Sequence, residues 1–358
     1  MHTQPRATIS RSNLVHNYGV LRKLAAPGDV GAVVKANAYG HGVEAVVATL
    51  FDAGCRTFFT ATADEAVEVR AAVGEEPTIL VLNGVPDEKA DLAKEHMITP
   101  VINTLHQLRC WRMHGMSAIG PAVLHFDTGM NRLGLRPEDR DAVVEMLDGR
   151  PVGIVMSHLA CADEVDNGLN EQQRLLFLEI AEQWPDARKS LANSAGLALD
   201  ARAYGFDLSR PGIALFGGGV PMPEGVELLR PTLTLEAPIL SVFMASKGAS
   251  TGYGATRRFG RERRLATVAI GYADGFPRAS SNRGFGYLGG QRCKVVGRVS
   301  MDLATLDVSD LTCPVAPGMM VEFIGPNANI EDQAMEAGTL GYELLTGLGR
   351  RVSRIWND

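Results

Sequence analysis

The stretch AVVKANAYGHG (residues 32–42) carries an apolar run straight into Lys35. Lysine is rarely buried without a partner. A lysine held at the end of an interior strand can lose its proton readily and attack a carbonyl to form a Schiff base. The competing reading is a surface lysine at a strand end, and the local residues weigh the two evenly. Tyr39 and His41 follow, on a turn made flexible by Gly40 and Gly42. Four more polar residues border apolar runs: Arg132 after VLHFDTGMN, His158 after GIVMS, Ser194 after SLAN, and Arg210 before PGIALFGGG. The glycine-rich segment 209–219 offers backbone N–H groups that can cradle a phosphate. NSAG (193–196) adds a hydroxyl. Each of these two is an ordinary turn taken alone. Together with a Schiff-base lysine they specify a phosphorylated aldehyde cofactor.

Such residues need elements that bring them together. The chain has 358 residues, enough for two domains or a large barrel with an addition. Up to about residue 225, short apolar runs (GAVVKA, TFFTA, TILVL, PAVLHFD, GIVMSHLA) alternate with stretches such as VEAVVATLFDAG, whose apolar residues recur at helical spacing. Strand–helix repeats imply a parallel sheet covered by helices, and about eight of them fit a TIM barrel. In a barrel the C-terminal strand ends carry the site, where Lys35, Arg132, His158 and Ser194 fall. Thr62 and Asn103 read as helix caps. Beyond about residue 225 the runs are β-rich and broken by Gly and Pro. The expected architecture is α/β: an N-terminal (β/α)8 TIM barrel over 1–225, then a mainly β domain over 226–358. The first strand, about 1–10, is a candidate to pair with the second domain. In that domain Tyr253 (TGYGATRRF), Tyr272 (IGYADGFPR) and Met301 (GRVSMD) read by themselves as turn and loop residues.

Composition narrows the function classes. The chain is 46% hydrophobic and 21% charged, with a net charge of -6, which argues against nucleic acid as the main partner. Five cysteines without CxxC spacing read as reduced thiols of a cytoplasmic protein and suggest no metal site. MHTQPRATIS lacks the apolar core of a secretory signal, and no apolar stretch is long enough to span a membrane.

AVVKANAYGHG, FDTGMNRLG, NSAG, SRPGIALFG, GYGATRRF, IGYADGFPR and GRVSMD, in this order, resemble the alanine racemase family of fold-type III pyridoxal-phosphate enzymes. The resemblance spans nearly the whole chain. It implies pyridoxal 5'-phosphate bound covalently to Lys35, with Tyr39, Ser194, Gly212 and Ile213 at its phosphate and Arg210 facing its ring nitrogen. His158 would lie between the cofactor and the second base. It implies a homodimer with shared sites, in which Lys35 and the other subunit's Tyr253 are the two bases. Arg132 and the Met301 N–H would bind the substrate carboxylate, and Tyr272 would line the entrance. The reaction would interconvert L- and D-alanine and supply D-alanine for peptidoglycan; a broader racemase acting on serine, lysine or arginine is the alternative. A tyrosine base needs positive neighbours to hold its anion, and His158 and Arg210 are the candidates. Many members of the family have a carbamylated lysine at the position of His125, seven residues before Arg132. No carbamate can form on a histidine, so Arg132 needs another means of orientation. Some relatives also place a further tyrosine near the C-terminus, which GRRVSRIWND does not supply. His41 reads as a packing residue beside the turn.

Overall fold

The computed structural model describes residues 4–358. Seven short parallel strands pair in chain order, from Ala32–Val33 through Thr57–Thr60, Thr78–Val81, Ile98–Ile102, Ala122–His125 and Val152–Met156 to Arg188–Ser190. An eighth segment closes the ring. Leu208–Ser209 pairs in parallel with Asp29–Val30, Val33 N donates to Pro211 O at 3.0 Å, and Arg210 N donates to Ala192 O at 2.9 Å. The result is the expected (β/α)8 barrel. Its inner strands are mostly apolar, as strands covered on both faces tend to be: Ile79, Leu80 and Val81 are all fully buried.

The helices form where the sequence punctuates them. Ala63–Val73 starts at Thr62, whose hydroxyl accepts from Glu65 N while Glu65 reaches back to the Thr62 amide. Ala66, Val69 and Val73 then face the core at three- and four-residue spacing. The expected cap at Asn103 is displaced by one residue. Thr104 caps Leu105–Met113, accepting from Gln107 N, and Asn103 is fully buried with another task.

In the second half, six strands make a closed antiparallel ring: Arg263–Val268, Ala304–Asp307, Gln291–Val295, Phe285–Leu288, Met320–Ile324 and Leu233–Ala245, the last returning to pair with the first. Leu233–Ala245 is long enough to serve two sheets' worth of neighbours, with register shifts at Leu235/Glu236 and Ile239/Ser241. Arg6–Ser10 lies antiparallel against it and parallel to Ser353–Asn357. Of the candidate strand 1–10, residues 1–3 lie outside the described residues. Both chain ends are therefore stitched into the β half, which fixes it against the start of the barrel. No described helix is long and apolar enough to cross a membrane.

Candidate active site

Lys35 leaves its strand into a left-handed turn. Ala36, Asn37, Ala38 and Tyr39 have φ of 54°, 54°, 51° and 51°, and Gly40 follows at 77°. Each non-glycine residue in this region costs about 1–2 kcal/mol, so neighbours must hold it. Ala36 N donates to Glu65 Oε1 at 2.7 Å, Val43 N donates to Asn37 Oδ1 at 2.8 Å, and Arg354 Nε donates to Gly40 O at 2.7 Å. A side chain on Gly40 would place Cβ 2.1 Å from Leu345 O. His41 completes the clamp. Its Nδ1 lies 3.0 Å from Tyr39 O, its Nε2 2.8 Å from Thr232 Oγ1, and its ring packs on Phe216. Burial pushes His41 down to about 4, so it works as a neutral structural group. Burial, then the nearby positive charge of Arg132, lowers the Lys35 amine from its ordinary value, with Glu65 opposing.

Lys35 faces a cavity of about 680 Å³ at the mouth of the barrel. Tyr39, Arg132, His158, Ser194, Arg210, Gly212 and Ile213 line it as well. All eight of these expected residues are thus brought together, although they come from five different loops. One side of the cavity is a cradle. Ser194 opens the helix Ser194–Tyr204, and its Oγ accepts from Gly212 N at 2.9 Å and Ala214 N at 3.3 Å. Its hydroxyl proton remains for an outside acceptor. The Ile213 N–H meets no acceptor among the described residues. Gly212 is required here, because a Cβ would lie 2.2 Å from Tyr39 Oη. Burial pushes the Tyr39 phenol upward, so it is a neutral donor.

Arg210 enters from the barrel floor, 3% exposed. It donates to Ser190 Oγ at 2.6 Å and Ser157 O at 2.5 Å. Burial is what lowers it, and no carboxylate among the described residues offsets that loss of water. A guanidinium nevertheless keeps its charge at neutral pH. The site therefore holds a buried cation that calls for an acceptor, and a cradle of unused donors beside it. That donor set fits pyridoxal phosphate, whose ring nitrogen and phosphate are acceptors. His158 Nδ1 lies 3.4 Å from Arg210 Nη2, which can only donate, so the His158 proton sits on Nε2. Burial first, then Arg210 and Arg132, hold His158 well below its ordinary range. Of the two expected cations, only Arg210 is charged.

Arg132 rides on a loop closed at both ends by backbone bonds: Asp127 N to Leu135 O at 2.9 Å and Leu135 N to His125 O at 2.8 Å. Asp127, buried, accepts from the amides of Gly129 and Asn131 and from Arg136 at 2.7 Å. Below this loop a chain of bonds fixes the His125 tautomer. Asn103 Nδ2 donates to Leu82 O at 3.1 Å and Val101 O at 3.0 Å, so its Oδ1 is the atom that faces His125 Nδ1 at 2.7 Å. Oδ1 can only accept, which puts the His125 proton on Nδ1 and leaves Nε2 a bare acceptor. Burial, Arg210 and Arg132, against Asp127, push His125 down to about 3 and keep it neutral.

Tyr253, Tyr272 and Met301 do not line this cavity. They are 74%, 44% and 53% exposed, on adjoining loops of the β half. Ala273 N donates to Met301 O at 3.0 Å, and Arg351 ties Asp274 to Asp302 with ion pairs of 2.6 and 2.7 Å. Gly252, beside Tyr253, packs against the Arg298 amide, where a Cβ would approach to 2.6 Å. Sequence reasoning missed Tyr342. It lies in the first turn of the short helix Gly341–Thr346, lines the cavity, and packs tilted against Tyr39 with ring centroids 6.2 Å apart. Only a glycine–tyrosine pair at a helix start marked it in the sequence.

The family model for the alanine racemase N-terminal domain matches residues 9–220, and that for the C-terminal domain matches residues 232–356. An alanine racemase of Rhodospirillum rubrum is 42% identical over 97% of this chain and 94% of its own length. A catabolic alanine racemase of Agrobacterium fabrum is 41% identical over 97% and 90%. Among solved structures, alanine racemase from Bartonella henselae with covalently bound pyridoxal phosphate superposes with a TM-score of 0.93 at 34% identity, covering 99% of this chain and all of that one. The biosynthetic alanine racemase of Pseudomonas aeruginosa gives 0.92 at 36% identity, covering both chains fully. The chain belongs to the alanine racemase family.

Proposed function

We propose that this chain interconverts L- and D-alanine with pyridoxal phosphate held on Lys35. The observation that carries the reading is the meeting of a desolvated lysine, an acid-free buried arginine and an unfilled donor cradle in one cavity. When bound, the cofactor supplies a Schiff base to an amino group and a π-system that takes up the electron pair left by a departing α-proton. The rest is done by the chain. Ser194 Oγ–H, the Ile213 N–H and Tyr39 hold the phosphate at the helix start, beside Gly212. Arg210, being only a donor, hydrogen-bonds the ring nitrogen and keeps it from gaining a proton. Lys35, its neutral form favoured by burial, is both the nucleophile and the base on one face of the α-carbon.

Racemisation needs a base on each face, and Lys35 serves one of them. Tyr253 from a second copy would supply the other, which makes the enzyme a homodimer with shared sites. That copy would also bring the Met301 N–H to the substrate carboxylate and Tyr272 to the entrance. Arg132 grips the carboxylate with paired N–H groups. His125 Nε2, held as an acceptor by Asn103, orients Arg132 where other family members use a carbamate. A barrel unit over 1–225 and a β unit over 226–358, acting in the cytoplasm to supply D-alanine for peptidoglycan, complete the reading. The test is incubation of the pure protein with a panel of L-amino acids and measurement of both enantiomers of each. Alanine turnover is expected to lead; turnover of a larger side chain without alanine would overturn the assignment.

A further inference from the structure

Outside the barrel mouth, the helix Leu105–Met113 and the turn after it carry a second cluster of chemistry. His106, Cys110 and His114 are spaced four residues apart, so they stack along one face. Asp87, just after Pro86 in the preceding connection, comes up against them. One ligating atom each from Asp87, His106 and Cys110 lies within 4.8 Å of the others. His106 Nε2 is 3.5 Å from Cys110 Sγ, and His114 Nε2 is 3.9 Å from Asp87 Oδ1. Zinc bonds of about 2.3 Å to sulfur and about 2.0–2.1 Å to nitrogen, at a tetrahedral angle, put S and N about 3.5 Å apart. The His106–Cys110 pair already stands at that separation. The Asp87–His114 pair exceeds the corresponding N–O spacing by about half an ångström, a small side-chain rotation.

We infer that Asp87, His106 and Cys110, with His114 beside Asp87 as the fourth group within reach, form a binding site for one divalent transition-metal ion of zinc-like softness. The thiolate and imidazoles select against magnesium and calcium, which prefer all-oxygen sites. Asp87, His106 and Cys110 line an open cleft of about 580 Å³, which gives an ion a path in from solvent. None of these four residues lines the barrel-mouth cavity, although the cleft borders it and shares Ala61 and Asn83 with it. The site escapes a search for paired cysteines because a helix, rather than a CxxC knuckle, spaces its ligands. The ion would tie the turn at Asp87 to the helix Leu105–Met113.

Cobalt(II) titration of the untagged, reduced holoenzyme tests this. The expected result is one ion per chain, ligand-field bands of tetrahedral intensity, a sulfur-to-cobalt charge-transfer band, and displacement by Zn²⁺. Cys110→Ser is expected to remove the charge-transfer band and weaken binding by roughly 100-fold or more, beyond the loss of an outer-shell partner. His106→Gln should weaken binding while leaving the sulfur band in the residual complex. Zn²⁺ should raise the melting temperature of the wild type and leave that of Cys110→Ser unmoved, with alanine racemisation retained in both. Failure of the wild type to take up cobalt, or uptake indifferent to Cys110→Ser, would overturn the assignment without touching the racemase reading.

Discussion

The barrel mouth and the exposed ridge of the β half contribute to the proposed site in opposite ways. At the mouth, Lys35, Arg210, His158 and Ser194 face one cavity, where burial lowers the Lys35 amine and the His158 imidazole from their ordinary values. On the ridge, Tyr253 and Met301 project into solvent, on loops held rigid from behind by the Arg351 ion pairs and the Gly252 contact. The first region is finished within one chain. The second is shaped but uncovered, which is how one half of a shared site looks in a single copy. The largest test of this contrast sets Lys35→Ala against Tyr253→Phe. Lys35→Ala removes nucleophile and base together, and should abolish racemisation and covalent retention of the cofactor after borohydride treatment. Tyr253→Phe should keep the cofactor and lose about 10²–10⁴-fold in rate, with α-proton exchange surviving for one enantiomer. Equal loss of exchange from both would break the assignment of one base to each face.

Mixing the two variants sharpens the same comparison. If each site joins one chain's mouth to the other chain's ridge, a hybrid dimer has one doubly damaged site and one intact site. Random pairing makes about half the dimers hybrid, so about a quarter of wild-type activity should return. A mixture with proven subunit exchange and no recovered activity would mean that mouth and ridge serve the same chain.

A subtler test lies within the mouth. His125→Phe removes the acceptor assigned to Arg132 and leaves Arg132 itself in place. The expected effect is a rise in KM for alanine of about tenfold, equivalent to about 1.4 kcal/mol, with little change in kcat. His125→Gln, which can still offer an acceptor, should recover most of it. A kcat loss without a KM change, or no rescue by glutamine, would show that His125 only fills space.

The same contrast explains what the sequence could disclose. The apolar runs at strand spacing and the polar residues bordering them made the barrel and five of its lining residues legible, because periodicity and strand ends are local properties; Tyr39, Gly212 and Ile213 were assigned only by the family resemblance. The left-handed turn after Lys35 was not legible. Ala36 and Ala38 carry no mark of positive φ, and the turn stands because Glu65, Asn37 and Arg354 bind it from elsewhere. Asn103 looked like a helix cap, since local chemistry favours that use; a contact with His125 across 22 positions claimed it instead. Tyr342 reaches the cavity only through packing of the last helices on the barrel, which no short window contains. Contacts between residues far apart in the chain are the common element in these three cases.

The smallest expected effect concerns the clamps rather than the chemistry. His41, His125 and His158 are buried neutral, with His41 pushed to about 4 and His125 to about 3. An unfolded histidine takes its proton near pH 6.5. Between those values the unfolded chain binds more protons than the folded one, so these groups stabilise the fold fully above about pH 6.5 and lose that contribution as the pH falls toward 4. Urea unfolding across this range should show stability declining with acid. His41→Gln, which keeps one donor and one acceptor for the Tyr39 carbonyl and Thr232, should reduce the slope by about one proton between pH 6 and 4.5. Ridge substitutions such as Tyr253→Phe should leave the slope unchanged, because an exposed ridge contributes no buried histidine. An unaltered slope in His41→Gln would show that acid reaches the fold through other groups, and that the left-handed turn does not depend on a neutral imidazole.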